Sequence, residues 1–164
     1  ALDGGMAFIR SSYARAGAAL PPGVRTPRDL HAHARARGML YRGKRPVPGD
    51  VAFFNDTHDA NGDGRANDPL TLVALVERVE EDGTVVLIGQ VRQGVLRFRM
   101  NTAHPALRRA PRTGRVLNHY LSAPVTQPGG TGTRARKTAA QLLAGYAHLP
   151  VEKKGRGPAL AMVE

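Results

Sequence analysis

Residues 51–100 contain four short apolar segments, rich in branched and aromatic residues and separated by Gly, Asp and Asn. Segments of this kind, bounded by turn residues, are typical of β-strands. The sequence Glu81-Asp82-Gly83 predicts a hairpin turn between the second and third segments. We therefore expect an antiparallel sheet with strands at Val51–Phe54, Leu72–Val79, Thr84–Ile88 and Val95–Met100, and a short final strand at Asn118–Leu121.

Two helices are predicted ahead of this sheet. The first covers residues 5–16 and has one apolar face, made of Met6, Ile9 and Tyr13. The second begins after Thr26, has Pro27 in its first turn, and ends at Gly38. Because the helices come first and the antiparallel strands follow, the sequence predicts an α+β fold.

Four segments of the chain match, in order and spacing, the motifs of one enzyme family. Residues 1–17 align with its nucleophile helix through Phe8, Arg10, Tyr13 and Gly17. The other three segments are Pro48-Gly49-Asp50, Pro69–Glu77 and Asp82–Gly89. Together they resemble the NlpC/P60 cell-wall peptidases. The resemblance covers residues 1–123 and implies a papain-like domain, with N-terminal helices packed on an antiparallel sheet.

All three catalytic positions of that family are replaced in this chain. The nucleophile position falls on Gly5, or on Gly4 if one residue is inserted, and the chain contains no cysteine. Leu72 stands at the general-base position and Gly89 at the third, orienting position. A thiol peptidase needs a thiolate, a base and an orienting group. The resemblance therefore implies a pseudoenzyme whose three positions meet at a helix N-terminus and two adjacent strands.

A non-catalytic binding or scaffolding module in a larger assembly is the function we expect. The resemblance implies a peptidoglycan peptide, or a protein segment that mimics one, as ligand, in a cleft enlarged by the small residues. It also implies an extracytoplasmic or cell-envelope location, with a cytoplasmic one left open. The alternatives are a cell-wall peptide hydrolase with unrecognised catalytic residues and a basic nucleic-acid-binding protein. The net charge of +11 favours acidic partners, but no groove-entering element or set of stacking aromatics supports nucleic-acid binding.

The segment from Asp59 to Gly64 has the spacing of a calcium-binding loop. Oxygen-bearing side chains at positions 1, 3 and 5 can converge on one cation, while glycine at position 6 allows a sharp turn. Leu70 occupies position 12, where such loops carry a bidentate glutamate. The alternative is a loop rich in turn-forming residues without an ion. The candidate calcium ligands are Asp59, Asn61, Asp63, Asn67 and Asp68.

Residues 124–164 are predicted as a C-terminal extension separate from the domain. A glycine-rich linker at residues 126–132 precedes a helix over residues 134–148 and a basic tail that includes Lys153 and Lys154. We expect the extension to dock on another protein chain through one apolar helix face, made of Leu142, Leu143 and Tyr146. No apolar run is long enough to predict a membrane span.

Overall fold

The computed structural model describes residues 3–122, 125–126, 133–134 and 136–151. The helices in these ranges are α1 (Met6–Arg15), α2 (Pro27–Ala36) and α3 (Ala139–Leu142). The strands are β1 (Leu40–Tyr41), β2 (Val51–Phe54), β3 (Leu72–Val79), β4 (Val85–Val91), β5 (Gly94–Met100), β6 (Val125–Thr126), β7 (Thr133–Arg134) and β8 (Leu143–Ala147).

Six of the described strands form one antiparallel sheet in the order β1-β8-β2-β3-β4-β5. Strands β6 and β7 pair separately. Helices α1 and α2 precede all six strands of the sheet in the chain, which confirms the predicted α+β class. None of the helices in the described ranges is long and apolar enough to cross a membrane.

The middle of the six-stranded sheet is buried on both faces, whereas the edge strand β5 is largely exposed. Alternate residues of β2 separate accordingly, since Val51 and Phe53 pack on one side and Ala52 and Phe54 on the other. Helices α1 and α2 cover the first side, with core residues Met6, Ile9, Tyr13, Leu30 and Ala34. Helix α3 and strand β8 contribute to the core on the second side, with Ala139, Leu142, Leu143 and Tyr146. Burial on both faces explains why β2 and the first half of β3 have no polar residues.

Local signals account for the first two helices, both of which confirm the predictions. In α2, Thr26 accepts a hydrogen bond from the backbone N–H of Asp29, and the Asp29 carboxylate accepts one from the Thr26 N–H. This reciprocal cap and the proline that follows it define the start of the helix. The predicted strand at Asn118–Leu121 is wrong, because within the described residues Tyr120 forms only an isolated bridge with Thr138.

The C-terminal part of the chain differs from the prediction. Instead of a helix over residues 134–148, the chain forms the four-residue helix α3 and then β8, which lies between β1 and β2. Leu142, Leu143 and Tyr146 are therefore buried in the core of the domain itself and do not form a docking face. Residues 136–151 are therefore part of the domain, and the predicted boundary at residue 124 does not separate them from it. Lys153, Lys154 and most of the predicted linker lie outside the described residues.

The Pro48-Gly49-Asp50 turn connects β2 to β1 and β8 through contacts of the Asp50 side chain. Asp50 is buried, and its carboxylate accepts hydrogen bonds from the Tyr41 hydroxyl and from the backbone N–H of Val47. His148, which follows β8, places Nδ1 2.6 Å from the other carboxylate oxygen. Burial, together with the contact to Asp50, raises the pKa of the Tyr41 hydroxyl. Asp50 thus links residues before β2 to β1 and to the end of β8.

Replacing Tyr146 with alanine tests whether β8 belongs to the core. The Tyr146 ring is 3% exposed and stacks on Tyr41 with 5.2 Å between ring centroids. Loss of a large buried ring leaves a cavity, so we expect Tyr146→Ala to lower the free energy of unfolding by about 3 kcal/mol. Urea unfolding measures this change. Tyr120→Ala is the matched control, because the Tyr120 side chain is 42% exposed and its loss should change stability little. Equal stability of the two variants would contradict the placement of β8.

Candidate functional site

The N-terminus of α1 docks directly on β3. Gly5 is the residue that caps the helix, and the Asp3 carboxylate accepts hydrogen bonds from the backbone N–H groups of Gly5 and Ala7, at 3.0 and 2.8 Å. The N–H of Val73 in β3 donates to the carbonyl oxygen of Gly4 at 2.8 Å. Backbone groups therefore join the helix start to the strand, and a negative side chain lies where the helix dipole favours one.

Neither glycine at this junction has room for a side chain. Both have left-handed backbone conformations, with φ of +68° at Gly4 and +83° at Gly5. A Cβ atom at Gly4 would lie 2.5 Å from Cγ of Pro27, and one at Gly5 would lie 2.7 Å from the carbonyl oxygen of Val73. The space that a nucleophile would need is already filled. The small residues at these two positions therefore bring backbones together and do not enlarge the cleft.

Of the three positions that the resemblance assigns to catalytic residues, Gly5 and Leu72 lie next to each other. Leu72, the first residue of β3, places Cδ1 3.4 Å from where a Cβ of Gly5 would lie. Gly89 is on the adjacent strand β4, but it packs against the Ala74 side chain and the Phe98 ring. Its neighbour Gln90 approaches Gly5 instead, with its carbonyl oxygen 3.5 Å from the same Cβ position. The third position thus packs in the core, and neither Gly5 nor Leu72 is among its nearest contacts.

A cleft of about 1170 Å³ opens beside Leu72. Acidic residues of its wall come from the chain before α1 and from the β2–β3 loop, and these are Asp3, Asp56, Asp59 and Asp68. Basic residues come mainly from the β4–β5 turn and from the segment before α3, among them Arg92, Arg136 and Lys137. Apolar residues that line the cleft include Leu72, Val91, Leu96 and Leu121. The cleft therefore offers groups of both charges beside an apolar surface.

Tyr120 is an exposed ring in this cleft, and two arginines contact it. The guanidinium carbons of Arg108 and Arg136 lie 5.5 and 5.8 Å from the ring centroid. These distances are within the range of cation–π contacts. Backbone bonding brings this segment to the cleft, since the N–H of Leu121 donates to the carbonyl of Lys137 at 3.0 Å. This cluster could not be predicted from the sequence, because it depends on a contact between distant segments.

His119 lies half-buried in the wall of the same cleft. Its Nδ1 accepts the backbone N–H of Arg99 at 2.9 Å. Burial lowers the pKa of His119, and the positive charges of Arg108, Arg99 and Arg109 lower it further. A neutral imidazole that accepts at Nδ1 carries its proton on Nε2. Near neutral pH, the hydrogen-bond donor of the His119 ring is therefore its Nε2–H group.

The predicted calcium ligands all lie in the loop that joins β2 to β3. The Asp59 carboxylate accepts hydrogen bonds from the N–H groups of Gly62 and Gly64, at 2.9 and 2.8 Å. Asp63 accepts from the Asn67 side chain, and this bond is the largest of several causes that lower the pKa of the Asp63 carboxyl. Within the described ranges, no three His, Asp or Glu side chains are grouped so that they could hold a metal ion.

Compared with known proteins, the chain matches no family model, no curated protein and no solved structure. The resemblance to NlpC/P60 peptidases therefore stays a prediction from the sequence motifs.

Replacing Gly5 with alanine should destabilise the protein although the change adds only a methyl group. A residue with a side chain is strained at φ of +83°, and its Cβ would meet the Val73 carbonyl oxygen. We expect a loss of about 2 kcal/mol or more in the free energy of unfolding, measured by urea denaturation. Gly23→Ala is the control, because nothing lies within 4 Å of its Cβ position. Equal stability of the two variants would show that the junction is not closed.

The environment of His119 predicts an unusual titration. We expect proton NMR to give its imidazole a pKa below the ordinary value of about 6.5. Because the unfolded chain then binds the proton more readily, this group stabilises the fold above about pH 6.5 and loses that effect as the pH falls through the folded-state pKa. His119→Gln should make the pH dependence of unfolding shallower in that window. Titration of His119 at or above the ordinary value would contradict the described burial.

Proposed function

We propose that this chain is a non-catalytic module of the NlpC/P60 type, with a papain-like arrangement, that binds a short peptide within a larger assembly. The order of the sequence motifs supports the proposal. So does the position of Gly5, at the N-terminus of a helix that docks beside Leu72. These are the places where the resemblance puts a nucleophile and its base.

The observation that carries the proposal is the closed junction between Gly5 and β3. The carbonyl oxygen of Val73 lies 2.7 Å from the point where a side chain of residue 5 would begin, and Leu72 supplies an apolar group in place of a base. Neither group can generate a nucleophile. A cleft of about 1170 Å³ nevertheless remains beside these residues. Retention of a cleft beside a junction that cannot react favours binding over turnover.

The charges in the cleft favour a peptide that carries both signs. Arg92, Arg136 and Lys137 can meet carboxylates, while Asp3 and Asp56 can meet an amino group. A peptidoglycan stem peptide combines carboxylates, an amino group and alanine methyl groups, which the apolar residues beside Leu72 would accommodate. A ligand of this class would place the protein in the cell envelope. A protein segment of similar charge would fit by the same chemistry.

The same charges disfavour nucleic acid as the ligand. Asp3, Asp56, Asp59 and Asp68 would repel a phosphate backbone that followed the length of the cleft. The exposed ring of Tyr120 is already in contact with Arg108 and Arg136, so it is a poor platform for stacked bases. The experiment must therefore distinguish nucleic-acid binding from peptide binding.

A hydrolase with other catalytic residues is the second alternative. Within the cleft, the Thr57 hydroxyl lies 2.7 Å from that of Thr71 and 3.5 Å from Nδ1 of His58. The two hydroxyls are thus paired with each other. Among the described residues, no third group holds the His58 ring as a catalytic triad requires. This cluster does not provide an activated nucleophile.

Isothermal titration calorimetry with a soluble muramyl tetrapeptide tests the proposal. We expect binding that weakens as salt is added, because the contacts in the cleft are charged. The double variant Arg136→Gln, Lys137→Gln should weaken binding by about tenfold or more, since a hydrogen bond to a charged group contributes about 1.5–3 kcal/mol. Arg28→Gln, an exposed position on α2, removes one positive charge outside the cleft and should leave the affinity unchanged.

Chromatography of the same samples separates the alternatives. Recovery of the peptide intact after prolonged incubation supports a binding module. Cleaved peptide that disappears with Thr57→Val would establish a hydrolase instead. Tighter binding of a single-stranded oligonucleotide than of the peptide would favour the nucleic-acid alternative. No peptide binding at millimolar concentration would overturn the proposal.

A further inference from the structure

One carboxylate oxygen in the β2–β3 loop is buried without a hydrogen-bond partner in the part of the chain that the structure describes. Asp68 is 5% exposed, and its Oδ1 accepts the backbone N–H of Asn61 at 3.3 Å. The other oxygen, Oδ2, has no partner among the described residues. Because Oδ1 contacts the middle of the loop, the carboxylate faces into it. A buried charged oxygen left unpaired costs several kcal/mol, so a positive group is expected at this point.

The conformation of the loop suits an ion at the same place. Its two ends are joined, since the N–H of Asp56 donates to the carbonyl of Asp68, and the N–H of Asp68 donates to the Asp56 carboxylate at 2.7 Å. Gly64, at position six of the motif, has φ of +72°, as the sharp turn of a calcium loop requires. Carboxylates accept about four contacts each, so the bonds that Asp59 makes to loop amides leave capacity for a cation.

Among the described residues, no carboxylate of this loop forms an ion pair, although Arg65 lies in the same loop and its charge acts on Asp63. Asp56, Asp59, Asp63 and Asp68 lie within thirteen residues, and the chain has a net charge of +11. Despite this excess of cations, the ion pairs among the described residues involve none of these four carboxylates. They join Arg78, Arg97, Arg99 and Arg115 to Glu77 or Glu80, and His148 to Asp50.

We infer that this loop binds one calcium ion through the Asp68 carboxylate, one of the Asp59 and Asp63 carboxylates, and the amide oxygens of Asn61 and Asn67. Calcium accepts six to eight oxygen ligands and tolerates neutral amide and carbonyl oxygens, whereas zinc prefers nitrogen and sulfur. Neutral oxygens are needed here, because the described carboxylates are not grouped in threes. The affinity should therefore be modest. Asp59 and Asp68 also line the cleft, so the ion would neutralise part of its acidic wall.

Calorimetric titration of the full chain with calcium chloride tests this inference without any peptide, so its outcome is independent of the proposed function. We expect one site with a dissociation constant between about 10 µM and 1 mM, and weaker binding of magnesium. Thermal melting in calcium should occur at a higher temperature than in chelator, because an ion that binds the folded state stabilises it. Amide NMR shifts should be confined to residues 56–71.

Two isosteric variants give the matched comparison. Asp68→Asn should weaken calcium binding by about tenfold or more, because it removes a charged ligand. Asp82→Asn makes the same change in the β3–β4 turn, where Asp82 accepts the N–H of Thr84, and should leave the affinity unchanged. No calcium binding by the wild-type chain at 5 mM (a ceiling about fivefold above the weakest expected constant) would overturn the inference. Equal binding of magnesium, or unchanged binding by Asp68→Asn, would overturn it as well.

Discussion

The backbone contact between the start of α1 and β3 is the interaction on which the rest of the molecule depends. The hydrogen bond from Val73 to the Gly4 carbonyl joins the first helix to a central strand of the sheet. It forms only because two left-handed glycines allow the backbones to approach. Once the helix start is held there, Met6 and Ile9 are buried against the sheet, and one wall of the cleft is defined.

The same contact determines what the site can do. A catalytic thiol at Gly5 would need both a side chain and a backbone that tolerates one, and the position provides neither. What remains beside it is an apolar surface between acidic and basic residues, which is suited to recognition of a charged peptide. The closed junction and the cleft beside it therefore have one structural origin, and the acidic wall connects the cleft to the loop for which we propose a calcium ion.

The sequence predicted those parts of the fold that depend on local signals. Helix α2 follows from its cap at Thr26, and β3 follows from a run of apolar residues that matches its observed bounds. Strand β8 was not predictable in this way, because its apolar spacing fits a helix as well as a strand, and its pairing joins Phe54 to Leu143 across most of the chain. In the site, Gly5 and Leu72 were identified. Gln90 and His119 were missed, because only tertiary contacts bring them to the cleft.

Hydrogen exchange at the amide of Val73, followed by NMR, tests the central claim most directly. If Gly4 and Gly5 hold the helix start on β3, this amide should exchange as slowly as the amides between β3 and β4, since its opening would require separation of the helix from the sheet. Exchange as fast as in the β2–β3 loop would contradict the account. It would mean that the junction between the helix start and β3 is open in solution.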